Sequence, residues 1–183
     1  MTLQVGGFSN PQKVRDIAIF SIESYDSDGV LIDSSAEGGP GSFTIAMKTV
    51  GQLRSVEVYP KSLVNGATTQ YNFKIIPGLK LTKGDKLLIT FPYEVSLPLS
   101  HKLNCTGDSA VSISSCIKSK DKELQITLRS ISSNYQKWQP FNVFVEDIVN
   151  PVSFKPSSPF KDIRLVSAFN FDIAEYENSN LII

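Results

Sequence analysis

The chain has 183 residues, of which 41% are hydrophobic and 20% are charged, so it holds enough apolar surface to bury a core and lacks the composition of a disordered protein. Lys plus Arg and Asp plus Glu are balanced at 18 each, and without a basic excess we expect no binding to nucleic acid. No segment approaches the roughly 18 consecutive apolar residues of a membrane-spanning helix, so no direct membrane span is expected.

The first strand signals define an N-terminal strand and hairpin unit, residues 1–33. Within it an alternating segment ends at Tyr25, and Ala18, Phe20 and Ile22 share one face of that segment. Successive side chains of a strand point to opposite faces, so this alternation predicts a strand with one apolar face.

A tight turn follows at residues 26–29, which read Asp-Ser-Asp-Gly. Glycine supplies the positive φ that hairpin turns need, so the pattern predicts a hairpin whose second strand is Val30–Asp33. The oxygens of Asp26, Asp28 and Asp33 make them calcium candidates. A solvated hairpin turn explains the same residues more simply, and we expect no metal or other cofactor.

Residues 34–149 show alternating apolar segments, punctuated by proline and glycine about every ten residues. A stripe with the 3.6-residue period of a helix is nearly absent. The fold class predicted is therefore all-β, an immunoglobulin-like antiparallel β-sandwich of roughly seven to nine strands with strand extensions at both ends. The strands predicted after the hairpin cover residues 43–47, 53–59, 68–76, 86–91, 123–128 and 141–145.

A C-terminal strand unit, residues 150–183, resembles the N-terminal one, because Asn10-Pro11 recurs as Asn150-Pro151. From Phe160 to Tyr176 the chain runs without glycine or proline, which predicts one long bent strand or a hairpin without a strong turn signal. If the central body is already closed, the apolar faces of both end units need partners outside it. The predicted assembly-strand residues are Phe20, Ile22, Phe160, Ile163, Leu165, Phe169 and Phe171.

The two cysteines, Cys105 and Cys116, are separated by ten residues. They supply too few ligands for zinc and lack the C-x-x-C spacing of redox motifs. Two alternatives remain, a pair of buried thiols or a disulfide that closes a short Ser/Gly loop; the disulfide is favoured and indicates an oxidising compartment. Asn104 begins an N-x-[ST] glycosylation sequence, although cysteine in its middle position usually makes a poor acceptor.

Catalytic motifs are missing from the sequence. His101 is the sole histidine, no G-x-S-x-G occurs, and the glycines form no phosphate-binding fingerprint, so we expect no enzyme and no catalytic residue. Tyr135 and Trp138 lie close together before the last predicted strand of the body and could form a sugar-stacking platform. The alternative is that Trp138 covers one end of the core.

Several short motifs follow one another from residue 8 to residue 160. In chain order they are Asn10-Pro11, Tyr25-Asp26, Ile32-Asp33, Ser55–Pro60, Leu63–Tyr71, Leu88–Pro92, Cys105–Cys116 and Asn150-Pro151. This order resembles the repeats of very long, serine- and threonine-rich cell-surface proteins of ciliates. The resemblance implies an extracellular or cell-surface location, a structural or adhesive role and no catalytic residues.

Two functions are therefore expected from the sequence. The first is a non-catalytic structural module of an extracellular array or filament, joined head to tail through its terminal strands to copies of itself or to neighbouring repeats. The second is a β-sandwich module of a surface adhesin that binds a carbohydrate or another ligand, with glycans as its partners. Binding energy would lie in the terminal strands for the first function and in the aromatic cluster for the second.

Overall fold

The computed structural model describes residues 23–34, 51–176 and 181–183. By its internal contacts the chain divides into two compact units, Met1–Thr49 and Val50–Ile183. The described residues contain strands and no helix, which confirms the all-β class, and none of them forms a helix that could cross a membrane. The predicted strand at 43–47 and the assembly residues Phe20 and Ile22 lie outside the described residues.

The described part of the first unit is an antiparallel hairpin of β1 (Glu23–Tyr25) and β2 (Leu31–Ser34). The Asp26 N–H donates to the Val30 carbonyl at 2.9 Å, and Gly29 has a φ of +79°. The Asp26 carboxylate accepts the N–H groups of Asp28 and Val30 at 2.9 and 2.8 Å. These contacts confirm the predicted hairpin turn and give the first carboxylate a structural role within it.

Nine strands form one sheet in the described part of the second unit. They are β3 (Gly51–Pro60), β4 (Thr68–Pro77), β5 (Lys86–Thr90), β6 (Cys105–Gly107), β7 (Val111–Lys118), β8 (Glu123–Ile131), β9 (Phe141–Val149), β10 (Asp162–Val166) and β11 (Asp172–Glu175). Their spatial order is β6-β9-β4-β3-β11-β10-β5-β8-β7. Neighbours are antiparallel except β3 and β11, which run parallel over two residue pairs.

The sheet is nearly closed, because its two end strands meet again. The Leu103 N–H donates to the Cys116 carbonyl at 3.0 Å and the Lys118 N–H to the His101 carbonyl at 2.8 Å, and a disulfide joins Cys105 on β6 to Cys116 on β7. The predicted disulfide is therefore present. The prediction of a Ser/Gly loop between the cysteines was wrong, since β6 and β7 cover most of that segment.

The inward-facing residues of the alternating strands form the core. In β4 the inward residues Tyr71, Phe73 and Ile75 are fully buried, and β8 and β9 contribute in the same way. The Phe73 ring lies 5.6 Å from that of Phe91 and 5.9 Å from that of Phe160 in edge-to-face geometry, which is favourable for aromatic pairs. This cluster joins β4, the end of β5 and the entry to β10 in one core.

The C-terminal segment is part of this body, which corrects two predictions. Residues 150–183 are not a separate unit, because β10 pairs with β5 on one edge and with β11 on the other. Phe160, Ile163 and Leu165 are buried in the chain's own core, so they cannot serve as exposed assembly-strand residues. With both edges of β10 paired, its backbone has no ladder left to offer a neighbour.

Of the two structures expected for residues 160–176, the hairpin is the one that forms. Its turn places Asn170 at a φ of +64°, and asparagine tolerates this left-handed conformation better than most residues. Phe169 and Phe171 lie at the turn and are exposed, unlike the three residues of the same predicted set that enter the core.

We expect the disulfide to stabilise the closed sheet by about 2–3 kcal/mol, because it removes freedom from the unfolded chain and holds the two end strands together. Urea unfolding with and without a reductant measures this difference. The Cys105→Ser/Cys116→Ser variant should match the reduced wild type and should not respond to reductant. Equal stability of oxidised and reduced wild type would contradict the expectation.

Candidate functional site

The body has two distinct ends. Strand β3 runs from Gly51 to Pro60, and its antiparallel partner β4 runs back from Thr68 to Pro77. Gly51 and Pro77 therefore lie at one end, and Pro60 and Thr68 at the other. Ten strand residues span roughly 30 Å, so the two ends are well separated. We call them the tryptophan end and the asparagine end, after Trp138 and Asn150.

A bulge in β9 turns Asn150 into the protein. Val145 pairs with Tyr71, but the next pair along joins Ile148 to Thr69, so two residues of β9 face one residue of β4. Asp147 takes a φ of +61° in this bulge. The extra residue in the bulge shifts the alternation of inward and outward side chains by one position. Ile148 and Asn150 are consequently buried.

The side chain of Asn150 holds the neighbouring loop, residues 61–67, in place. Its Oδ1 accepts a hydrogen bond from the Tyr71 hydroxyl at 2.7 Å, and its Nδ2 donates to the carbonyls of Ser62 and Val64 at 2.8 and 2.9 Å. The Gly66 N–H adds a bond to the Pro151 carbonyl at 3.0 Å. A buried amide with all these partners stabilises one loop conformation.

Around Asn150 the loops expose apolar side chains to solvent. Leu63, Val64 and Val152 are exposed, and Phe154 is 98% exposed. We call these four residues the apolar surface. Single exposed apolar residues are ordinary, whereas a group of them at one end of a domain is typical of an interaction site.

A cavity of about 250 Å³ opens beside the apolar surface. Its lining includes Asn65, Pro151, Lys155 and Ile183. The Nδ2 atom of Asn65 is buried without a hydrogen-bond partner among the described residues, which is costly unless a ligand or neighbour supplies an acceptor. The two loop segments, 60–67 and 151–156, contain two lysines and no carboxylate, so these two loops favour an apolar partner that carries acceptors.

The hydroxyl of Tyr71, beside Asn150, is shielded from water. Tyr71 has no exposed surface, and burial raises its pKa from the ordinary 10.0 to about 12, because the phenolate would lose its hydration. The neutral hydroxyl is also the form that donates to Asn150. Protonation of Tyr71 and the position of the loop are therefore linked.

The tryptophan end places one aromatic ring at the surface. Trp138 is 46% exposed and has a φ of +72°, with the Arg54 guanidinium 5.5 Å and the Lys137 ammonium 4.9 Å from its ring centre. The ring lies over Gly78, where an added Cβ would come within 2.9 Å of the indole. A side chain at position 78 would displace the ring.

The predicted sugar platform is only half formed. Tyr135 is buried, its hydroxyl donates to the Gln139 carbonyl at 2.8 Å, and its ring packs edge-on against Phe141 at 6.5 Å. Burial raises its pKa as well. The prediction that Tyr135 offers a stacking face was wrong, because this ring covers the end of the core, the role expected of Trp138.

The remaining predicted residues belong to the hairpin of the first unit and to the region of the disulfide in the second. Asp26, Asp28 and Asp33 belong to the hairpin of the first unit, and among the described residues no three metal-ligating side chains gather into a cluster. Asn104 is exposed directly before β6, so its glycosylation stays a prediction. The disulfide closes the sheet at its side and does not contact the cavity.

The sequence drew attention to Asn150-Pro151 as a repeated motif but did not reveal the structural role of Asn150. An asparagine directly after an apolar strand and before a proline is the available signal, since proline ends the ladder and the preceding side chain can turn inward. The bulge at Asp147 has no comparable sequence signature. The orientation of Asn150 therefore required the structure.

No family model matches the chain, and no significant match occurs among curated proteins.

Replacing Asn150 with alanine should destabilise the body by about 2–4 kcal/mol, because the Tyr71 hydroxyl and two loop carbonyls lose a buried partner. Amide exchange of residues 62–67 should accelerate more than that of β8. Asn142→Ala is the matched control, since Asn142 bonds Asp108 near the start of the same strand, away from the loop. Unchanged exchange in residues 62–67 of Asn150→Ala would contradict the anchoring role.

The free energy of unfolding should fall as the pH rises from about 10 to about 12. The folded pKa of Tyr71 exceeds its unfolded value of 10.0, so its contribution is complete below pH 10 and is lost as the pH passes through the folded pKa. Tyr71→Phe should make the free energy of unfolding less dependent on pH, and the dependence that remains should be due to Tyr135. Urea unfolding at pH 8, 10 and 11 tests the expectation. Equal slopes of the unfolding free energy against pH for wild type and Tyr71→Phe would refute it.

Proposed function

We propose that the chain is a non-catalytic structural module of an extracellular or cell-surface array, joined head to tail to copies of itself or to neighbouring repeats. The observation that carries the proposal is the position of the apolar surface relative to the path of the chain. Strand β3 enters the body at the tryptophan end, and Leu181–Ile183 lie at the asparagine end beside that surface. Successive bodies with this path would line up lengthwise.

Backbone contacts fix this path. Strand β11 runs parallel to the start of β3, with Ala174 opposite Gly51, so β11 points toward the asparagine end. There the Phe160 N–H donates to the Leu181 carbonyl at 2.9 Å and the Ser157 N–H to the Ile183 carbonyl at 3.1 Å. Entry at one end and exit at the other is the arrangement that an extended array needs.

The apolar surface supplies a reason for neighbouring bodies to associate. Covering Leu63, Val152 and Phe154 would remove apolar area from water, at about 25 cal/mol for each Å² buried. The unpartnered amide of Asn65 would gain an acceptor from the partner's backbone. Contacts of this kind join unlike surfaces of two bodies, so they propagate along a line and do not close as a twofold dimer does.

The mode of joining differs from the one expected from the sequence. Terminal strands of both units were expected to add to a neighbour's sheet, but β10 and β11 are paired inside their own body. The C-terminal contact proposed here is made by loops at the asparagine end. The immunoglobulin-like arrangement of two packed layers belongs to the same proposal, supported by the burial of one face of β4, β8 and β9.

The disulfide is compatible with an oxidising compartment, which supports an extracellular or cell-surface location. The alternative function, glycan binding by a surface adhesin, has less support. With Tyr135 buried, the predicted platform is reduced to Trp138, whose ring already has two cations of the protein beside it. The apolar surface therefore remains the better candidate for a binding site.

The double substitution Val152→Ser/Phe154→Ser should weaken self-association at least fivefold, because it removes apolar area without changing a strand. Sedimentation velocity over a range of concentrations measures the association. Leu99→Ser is the matched control, since Leu99 is also 98% exposed but does not line the cavity, and Phe154→Leu should retain association. A double variant that associates like wild type, or a wild type that stays monomeric, would refute the proposal.

A further inference from the structure

Two aromatic side chains share one rung on the outer face of the sheet. Tyr59 of β3 lies opposite Asn72 of β4, and Asn72 lies opposite Phe144 of β9. The residues before and after Asn72 and Phe144 along their strands are fully buried, so Asn72 and Phe144 point outward. Tyr59 is 51% exposed on the same rung. Neighbouring strands are about 4.8 Å apart, so the backbones at Tyr59 and Phe144 are separated by roughly 10 Å.

The amide between these two rings lacks one hydrogen-bond partner. The Oδ1 atom of Asn72 is buried and has no partner among the described residues. A buried acceptor without a donor is costly, and a hydroxyl of a bound molecule would supply that donor. The outward amide of the adjacent rung differs, because Asn142 donates to Asp108 at 2.9 Å. Asn72 is therefore the position on this face where a bound hydroxyl would satisfy the protein.

The adjacent rung brings a pair of opposite charges beside the rings. Glu57 lies opposite Lys74, and their side chains form an ion pair at 3.1 Å. The Tyr59 hydroxyl also donates to Glu57, which holds the Tyr59 ring in position. Both side chains of the ion pair are partly exposed, so they can contact a bound molecule while their charges cancel.

A second cavity of about 250 Å³ opens on the opposite side of the rung. Gln70 and Glu146 lie two residues from Asn72 and Phe144 along the same strands; they line the cavity, and the Gln70 amide donates to Glu146. The rest of the lining is also polar: Lys61, Thr68, Thr69 and Asp147. The two rings thus lie between an ion pair and a cavity that offers hydrogen-bond donors and acceptors.

We propose that this outer face binds a neutral oligosaccharide, with Tyr59 and Phe144 at its centre. Sugar rings have apolar C–H faces that pack on aromatic side chains, and their hydroxyls both donate and accept hydrogen bonds. Tyr59 and Phe144 would stack on two units of one sugar chain, and a hydroxyl between them would donate to Asn72. This pair of rings is distinct from the Tyr135–Trp138 platform predicted from the sequence.

The charges on this face favour a neutral glycan over an acidic one. Lys74 is paired with Glu57, and the lysine that lines the cavity shares it with two carboxylates, Glu146 and Asp147. No excess of positive charge is therefore present to attract sulfate or uronate groups. Carboxylates are strong acceptors for hydroxyl donors, so they suit a ligand that is rich in hydroxyls.

Isothermal titration calorimetry of the full-length chain with four neutral hexasaccharides tests the proposal: cellohexaose, xylohexaose, mannohexaose and chitohexaose. We expect at least one of them to bind. Tyr59→Ala should weaken that binding at least tenfold, whereas Tyr59→Phe should retain it. Tyr25→Ala is the matched control, because Tyr25 is 55% exposed and its hydroxyl also donates to a carboxylate two residues earlier, Glu23.

A second readout locates the bound sugar. In NMR titrations of the wild-type chain with the hexasaccharide that binds, the side-chain amide signals of Asn72 and Gln70 should shift, and those of the buried Asn150 should not. Failure of all four hexasaccharides to bind, equal weakening by Tyr59→Ala and Tyr25→Ala, or tighter binding of a heparin hexasaccharide would overturn the proposal.

Glycan binding and the head-to-tail function can fail separately, because the apolar surface consists of loops and the sugar would lie on strands. The Val152→Ser/Phe154→Ser variant should bind the hexasaccharide like wild type. A wild type that stays monomeric and binds the sugar would refute the proposed function alone. A wild type that associates and binds none of the four sugars would refute the glycan site alone.

Discussion

The buried side chain of Asn150 is the contact on which the asparagine end depends. It joins the hydroxyl of Tyr71, in the core, to the carbonyls of Ser62 and Val64, in the loop that carries part of the apolar surface. Each bond contributes only about 1 kcal/mol, but leaving the three partners unpaired would cost more. The positive φ of Asp147 makes the contact possible, because it turns the end of β9 inward.

Closure of the sheet explains why contacts between bodies are expected at the ends and not along the side. A closed or nearly closed sheet has few unpaired ladder groups, which protects it from edge-to-edge aggregation. Here the Cys105–Cys116 disulfide and the backbone bonds of Leu103 and Lys118 join the two end strands. Loops at the two ends, which belong to no ladder, are left to make specific contacts.

Sequence reasoning predicted the strands whose alternation is strong, such as β4 with Tyr71 and Phe73. It missed β7, because serines interrupt its apolar pattern and the two cysteines suggested a loop. It assigned Ile163 to a neighbour's sheet, because local alternation shows that a strand has an apolar face but not which core covers that face. The orientation of Asn150 depends on a bulge and on partners distant in sequence, which no local pattern reveals.

The central claim is that identical bodies line up lengthwise, and small-angle X-ray scattering of the wild-type chain tests it most directly. As the concentration rises, the account predicts that the maximum dimension grows in steps of about one body while the cross-sectional radius stays constant. Growth of the cross-section together with the length would show lateral association through the sides of the sheet. Scattering that does not change with concentration would show no association, and either result would contradict the claim.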